Sequence, residues 1–144
     1  MKKGVDYIGV TICFFCHDGK GNLLLQKRNK NCRDEQNTWD VGGGSVEFGE
    51  TFEEAVRREL QEELCVTPIQ LQYAGTNNVL RKNNGVQTHW VAIVYGALID
   101  PTQPKIGDTY RIDELKWFPK DKLPSPLHSM LLPHMELIKK AKIL

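Results

Sequence analysis

The sequence predicts a mixed α/β domain in which a central helix and a terminal helix pack on a β-sheet. Three observations carry this. Residues Thr51 to Leu64 contain no Gly or Pro and are rich in Glu, Arg, Leu and Ala, a composition that favours helix. Apolar, β-branched segments separated by turn signals lie on both sides of that stretch. The tail carries Leu127, Met130, Leu131, Ile138 and Ala141 at helical spacing. The chain has 144 residues, 40% of them hydrophobic and 26% charged, which is enough for one compact domain over residues 1–144.

The elements follow in order. Tyr7 to Cys16 is apolar and β-branched, Asp18-Gly19-Lys20-Gly21-Asn22 is a turn signal, and Leu23 to Leu25 resumes the apolar pattern, so the three read as a hairpin. Asn29 to Asn37 is polar and loop-like. Trp39-Asp40-Val41 forms a short strand, and Gly42-Gly43-Gly44 is expected to break regular structure. Thr51 caps the central helix, with Glu54 three residues on in the capping-box arrangement, and Pro68 stops its continuation. Ile69 to Val79 and Thr88 to Leu98 form a long hairpin joined by Arg81-Lys82-Asn83-Asn84-Gly85. Leu115 to Phe118 is a strand closed by Pro119. Pro133 starts or kinks the last helix, whose C-terminus is suited by Lys139, Lys140 and Lys142.

The formal net charge of +1 provides no long-range field to gather nucleic acid, so any anion must be held by local groups. The N-terminus lacks a signal-peptide pattern, and the apolar runs are too short to span a bilayer. A cytoplasmic protein with no nucleic-acid or membrane partner is expected, and a homodimer is left open. The four cysteines, Cys13, Cys16, Cys32 and Cys65, do not make a zinc site. Cys13 and Cys16 lie three apart in a strand, so their thiols point to opposite faces.

The chemistry lies in the central helix. At about 100° per residue, Phe52, Val56, Leu60 and Leu64 form an i, i+4 ridge expected to face the core. Glu59, Glu62 and Glu63 share one neighbourhood, and Glu63 falls between Phe52 and Val56 on the wheel. Three carboxylates crowded against an apolar edge repel one another and lose solvation, and a divalent cation with oxygen ligands would compensate. The competing reading is a solvated charged helix, because Glu53–Arg57, Glu54–Arg58 and Arg58–Glu62 are ordinary i, i+4 pairs. Two details weigh against it: the glutamates encroach on the apolar stripe, and a three-glycine segment that lets backbone approach an anion or metal leads into the helix.

These residues resemble the Nudix hydrolase box, G-x5-E-x7-R-E-U-x-E-E-x-G-U, with U a bulky aliphatic residue. Gly44 is followed after five residues by Glu50, and after seven more by Arg58-Glu59-Leu60-Gln61-Glu62-Glu63, then Leu64, Cys65 and Val66. Cys65 replaces the family's glycine, which normally ends the helix in a left-handed cap. Upstream, Trp39-Asp40-Val41-Gly42-Gly43-Gly44 departs from the Trp-x-x-Pro-Gly-Gly of many members. The resemblance implies the Nudix α/β/α sandwich, with a mixed central sheet, the box helix on one side and the C-terminal helix on the other.

It also implies roles. Glu59, Glu62 and Glu63, with the backbone carbonyl of Gly43, would hold Mg²⁺ or Mn²⁺. Arg58 would orient the carboxylates, and Glu50 would stabilise the loop–helix junction. The general base would be Glu62 or a loop acid among Asp108, Asp113 and Glu114. Arg28, Arg33 and Arg81 are candidate phosphate clamps, and Trp39, Phe48 and Tyr95 candidate stacking surfaces for a base. His17, His128 and His134 show no triad-like context. The expected activity is metal-dependent hydrolysis of a phosphoanhydride bond in a nucleoside di- or triphosphate or related derivative. An ADP-ribose or dinucleoside polyphosphate hydrolase and a non-catalytic nucleotide sensor are the alternatives. Retention of every box glutamate disfavours the sensor, and the absence of proline from Ile69 to Asp100 disfavours the ADP-ribose subclass.

Overall fold

The computed structural model describes all residues, 1–144. The chain runs β1 (Gly9–His17), β2 (Asn22–Arg28), β3 (Trp39–Asp40), β4 (Gly42–Ser45), α1 (Phe52–Leu64), β5 (Gln70–Asn83), β6 (Val86–Leu98), β7 (Ile112–Pro119) and α2 (Leu131–Lys140). The seven strands form one sheet of order β3-β2-β1-β6-β5, with β4 added to β1 and β7 to β2. β1 and β6 run parallel and the other pairs antiparallel, so the sheet is mixed, as expected.

β1 is central because it is apolar on both faces. Ile12, Phe14 and Cys16 point into a core with Val56, Leu60 and Leu64 of α1. Cys13, Phe15, Val94 and Leu25 point into a second core with Leu131, Met135 and Ile138 of α2. The alternation of one strand thus feeds two layers, giving the α/β/α sandwich. It also sends Cys13 and Cys16 to opposite faces, and all four thiols are free. No helix is long and apolar enough to cross a membrane.

The β1–β2 hairpin exists only at its closed end, where His17 pairs with Leu23. Beyond it the strands diverge. β1 takes β4 along Thr11 to Phe14, while β2 takes β3 and β7. The β5–β6 hairpin is longer than expected: its strands continue to Asn83 and from Val86, because Asn84 and Gly85 alone make the turn, with φ of 52° and 78°. Positive φ at both central residues is the two-residue turn that matches strand twist. Pro133 stands in the first turn of α2, where its missing N–H costs nothing.

Two expectations are corrected. The three glycines do not break regular structure; they are strand β4, paired through Gly42, Gly43 and Gly44 with Phe14, Cys13 and Ile12. Phe52 is not a core residue but is 42% exposed. The buried face of α1 is completed instead by Ala55, with the Glu63 side chain buried beside it.

Candidate active site

The divergence of β1 from β2 opens a cleft of about 890 Å³, walled by β1, β2, β4 and α1. Glu59, Glu62 and Glu63 all line it. Helix α1 brings them there because its apolar ridge packs on the sheet and leaves the i, i+3, i+4 carboxylates along the sheet's open edge. The helix starts at Thr51, whose hydroxyl accepts the Glu54 N–H at 3.2 Å. It ends at Cys65, which adopts the left-handed conformation itself, φ 58°, ψ 35°. The turn survives without glycine because loop residues share the capping: Lys105 N–H donates to Leu64 O at 2.9 Å and Gly107 N–H to Glu63 O at 2.8 Å. That docking also carries Asp108 to the cleft, whereas Asp113 and Glu114 do not line it.

The glycines of β4 make room for the acids. A Cβ on Gly44 would overlap the Glu59 carboxylate, and one on Gly42 would strike the Phe14 ring and come within 3.2 Å of Glu63 Oε1. Gly43 faces away, against the backbone oxygen of Ile12.

Arg58 ties the group together. Its Nε and Nη2 donate to the two oxygens of Glu50 at 2.6 and 2.9 Å, and Nη2 also donates to Ser45 O at 3.0 Å. Its Nη1 donates to Glu59 Oε1 at 2.7 Å and reaches Glu62 Oε2 at 3.5 Å. The hydrogen bonds from Arg58, aided by the Glu47 backbone N–H, hold the Glu50 carboxyl down at about 2. A carboxyl depressed in the folded state stabilises the protein above its ordinary range and loses that contribution as pH falls through its folded value. The urea midpoint is therefore expected to fall between pH 4.5 and about 2, and Glu50→Gln to flatten that slope. An unchanged slope in the variant would remove Glu50 from this role.

Glu63 is the opposite case. It is buried, its Oε1 accepts from Gln26 Nε2 at 3.1 Å, and its Oε2 has no hydrogen-bond partner. Burial first, then the Glu59 carboxylate beside it and Asp108, push its pKa well above the usual carboxylate range. No three His, Cys, Asp or Glu side chains already stand together at metal-ligand spacing. The donor set nevertheless suits a hard divalent ion: an orphaned buried carboxylate oxygen, a second carboxylate beside it and a third at the rim. Mg²⁺ commonly uses few carboxylates and fills its shell with water and phosphate.

The other expected site residues divide. Arg28, Arg33 and Arg81 line the cleft. Arg28 is paired with Asp34 at 2.9 Å, and Arg81 with Glu35 at 2.5 Å and Asp34 at 3.2 Å. None of the three expected stacking residues reaches the cleft. Trp39 is buried edge-on against Phe118, Tyr95 is buried in the α1-side core against Tyr73, and Phe48 stands fully in solvent. Strand alternation turned the first two inward, and Phe48 belongs to the turn before α1. Sequence reasoning missed Asp40, Trp90, His128 and His134 as cleft residues. They come from separate segments with no shared spacing, and only the sheet register and the packing of α2 unite them.

A sequence model of the NUDIX domain matches residues 7–140. The 8-oxo-dGDP phosphatase NUDT18 of Mus musculus is 28% identical over 144 residues, covering 94% of this chain and 39% of that protein. An uncharacterized Nudix hydrolase of Listeria monocytogenes is 39% identical over 67 residues, covering 46% of this chain and 38% of that protein. The chain thus spans about two fifths of the length of these curated relatives. The crystal structure of the MutT NUDIX hydrolase from Burkholderia pseudomallei superposes with a TM-score of 0.82 at 30% identity, over 92% of this chain and 99% of that one. The NUDIX domain of Shewanella oneidensis NrtR shares the fold, with a TM-score of 0.74 at 23% identity over 99% of this chain and 90% of that one. The sandwich with a carboxylate helix at its cleft is that of a Nudix domain. This chain belongs to the Nudix hydrolase family.

Proposed function

We propose that this domain hydrolyses a phosphoanhydride bond in a nucleoside di- or triphosphate or a related nucleoside diphosphate derivative, using Mg²⁺ or Mn²⁺ held by Glu59, Glu62, Glu63 and the Gly43 carbonyl. The observation that carries this reading is the unpartnered Oε2 of Glu63, buried beside the Glu59 carboxylate in the cleft wall. Two adjacent carboxylates in a dry site are unfavourable unless a proton or a cation lies between them. A metal bound there would neutralise diphosphate charge and make the attacking water more acidic.

The chain's own residues do the rest. Arg58 keeps Glu59 and Glu62 turned to the cleft, and Glu50 anchors Arg58 at the junction of β4 and α1. Glu62, which keeps contact with solvent, accepts the proton of the attacking water, with Asp108 as the second choice of base. Arg33, without an ion pair of its own, is free to contact a substrate phosphate. The mouse relative is named for a nucleoside diphosphate, 8-oxo-dGDP, and the NrtR domain is complexed with ADP ribose. A reducing, cytoplasmic setting suits four free thiols.

A panel of nucleotides assayed with Mg²⁺ for phosphate and pyrophosphate release tests the proposal. Hydrolysis is expected, lost in excess chelator and regained on adding Mg²⁺ or Mn²⁺. Turnover that persists in chelator would exclude the metal, and silence across the whole panel would overturn the activity.

A further inference from the structure

Gln26 is a cleft side chain to which the hydrolytic chemistry gives no part. It lies on β2, with Asp40 of β3 paired on one side and Leu115 of β7 on the other. The alternation of β2 sends Leu23 and Leu25 into the α2 core and Leu24 into the α1 core, so Gln26 points to the α1 side. There its Nε2 donates to Glu63 Oε1 at 3.1 Å, the one hydrogen bond that joins β2 to α1. The bond divides the two oxygens of Glu63. Oε1 is taken by the amide, and the backbone of Gly42 lies so close that an added Cβ would come within 3.2 Å of it. Oε2 is buried and has no partner. Arg58 reaches Glu59 and Glu62 but makes no bond to Glu63, so the third acid is oriented from the opposite wall of the cleft.

We propose that Gln26 is a positioning residue of the metal centre: by occupying Oε1 it leaves Glu63 a single oxygen, Oε2, to offer a cation, and so turns the site towards Mg²⁺ or Mn²⁺ and away from Ca²⁺. The reasoning is one of ligand number and freedom. Mg²⁺ is small and demands a tight octahedral shell, whereas Ca²⁺ takes a larger, looser one and accepts both oxygens of one carboxylate. A carboxylate with one oxygen pinned by an amide on a paired strand cannot turn both to the ion. Without the amide it could rotate, and the discrimination against the larger ion would relax. Groups that hydrogen-bond a metal ligand are worth about ten- to a hundredfold in metal affinity. A bond that served only to join β2 to α1 would, on removal, weaken every cation alike.

The proposal rests on the functional reading above in taking Glu63 to face a cation, and its test needs no hydrolysis. Mn²⁺ alone is titrated into the full chain, the free ion is read by its electron paramagnetic resonance signal, and Ca²⁺ is then added as competitor. Gln26→Met keeps the length of the side chain and removes its N–H. It is expected to weaken Mn²⁺ binding about ten- to a hundredfold and Ca²⁺ binding by less, so that the preference for Mn²⁺ over Ca²⁺ drops. Gln26→Ser, which removes the same donor with less bulk, should drop it too and stands in if the methionine packs badly; melting curves of the metal-free proteins show which variants are folded. Parent-like Mn²⁺ affinity in a folded variant, or equal losses for the two ions, would overturn the role of Gln26 while leaving the metal site in place. A parent protein that binds no Mn²⁺ would instead remove the metal reading itself, and this assignment with it.

Discussion

Glu62→Gln is expected to lower kcat by about 10²–10⁴-fold, the range seen when a positioned proton acceptor is lost, with the thermal midpoint nearly unchanged. The two halves of that expectation come from different features. Glu62 lines the cleft on the same helical face as Glu59 and Glu63, so the amide removes charge where the cation and water would sit. Its side chain is 59% exposed and its only ion pair, to Arg58, is at 3.5 Å, so little folding energy is involved. Steady-state kinetics at saturating Mg²⁺ beside a melting curve read both. Near-parent turnover in the folded variant would sink the role given to this carboxylate.

Gly44→Ala is expected to cut activity about 10–100-fold, the usual scale for disturbing the support of a metal ligand, again with modest loss of stability. The added Cβ would overlap the Glu59 carboxylate, the far end of a flexible side chain, which gives way and leaves its 2.7 Å bond from Arg58. Gly42→Ala makes the contrast. There the Cβ meets the Phe14 ring, fully buried between sheet and helix, and also approaches Glu63 Oε1 to 3.2 Å, so the larger cost falls on the fold, about 1–3 kcal/mol for overpacking, with some loss of turnover beside it. Urea unfolding should therefore separate the two variants, Gly44→Ala losing turnover with little stability and Gly42→Ala losing stability foremost. Full activity in Gly44→Ala would mean that the close approach of β4 to α1 is not needed for the site.

Most of the fold could be read along the chain because its signals are local. Helix α1 has its cap, composition and stop within a short span, and the hairpin strands carry β-branched residues around Gly and Asn turns. The glycines of β4 misled for a physical reason. A run of glycine has no side-chain pattern to mark it as strand, and its use here is steric, leaving space for Glu59 and Phe14 across the layer. Phe52 misled because helical periodicity places a residue on a face but does not say how far the sheet beneath that face extends.

What the sequence by itself determined was the α/β class, the carboxylate helix and the family, since fixed spacings along one helix bring Glu59, Glu62 and Glu63 together wherever that helix packs. Only the tertiary structure decided which residues share the cleft with them. Trp39 and Tyr95 turned into the cores, while Asp40, Trp90 and His128 arrived from β3, β6 and the segment before α2. Those meetings depend on strand register and layer packing between distant segments, and no local spacing encodes them.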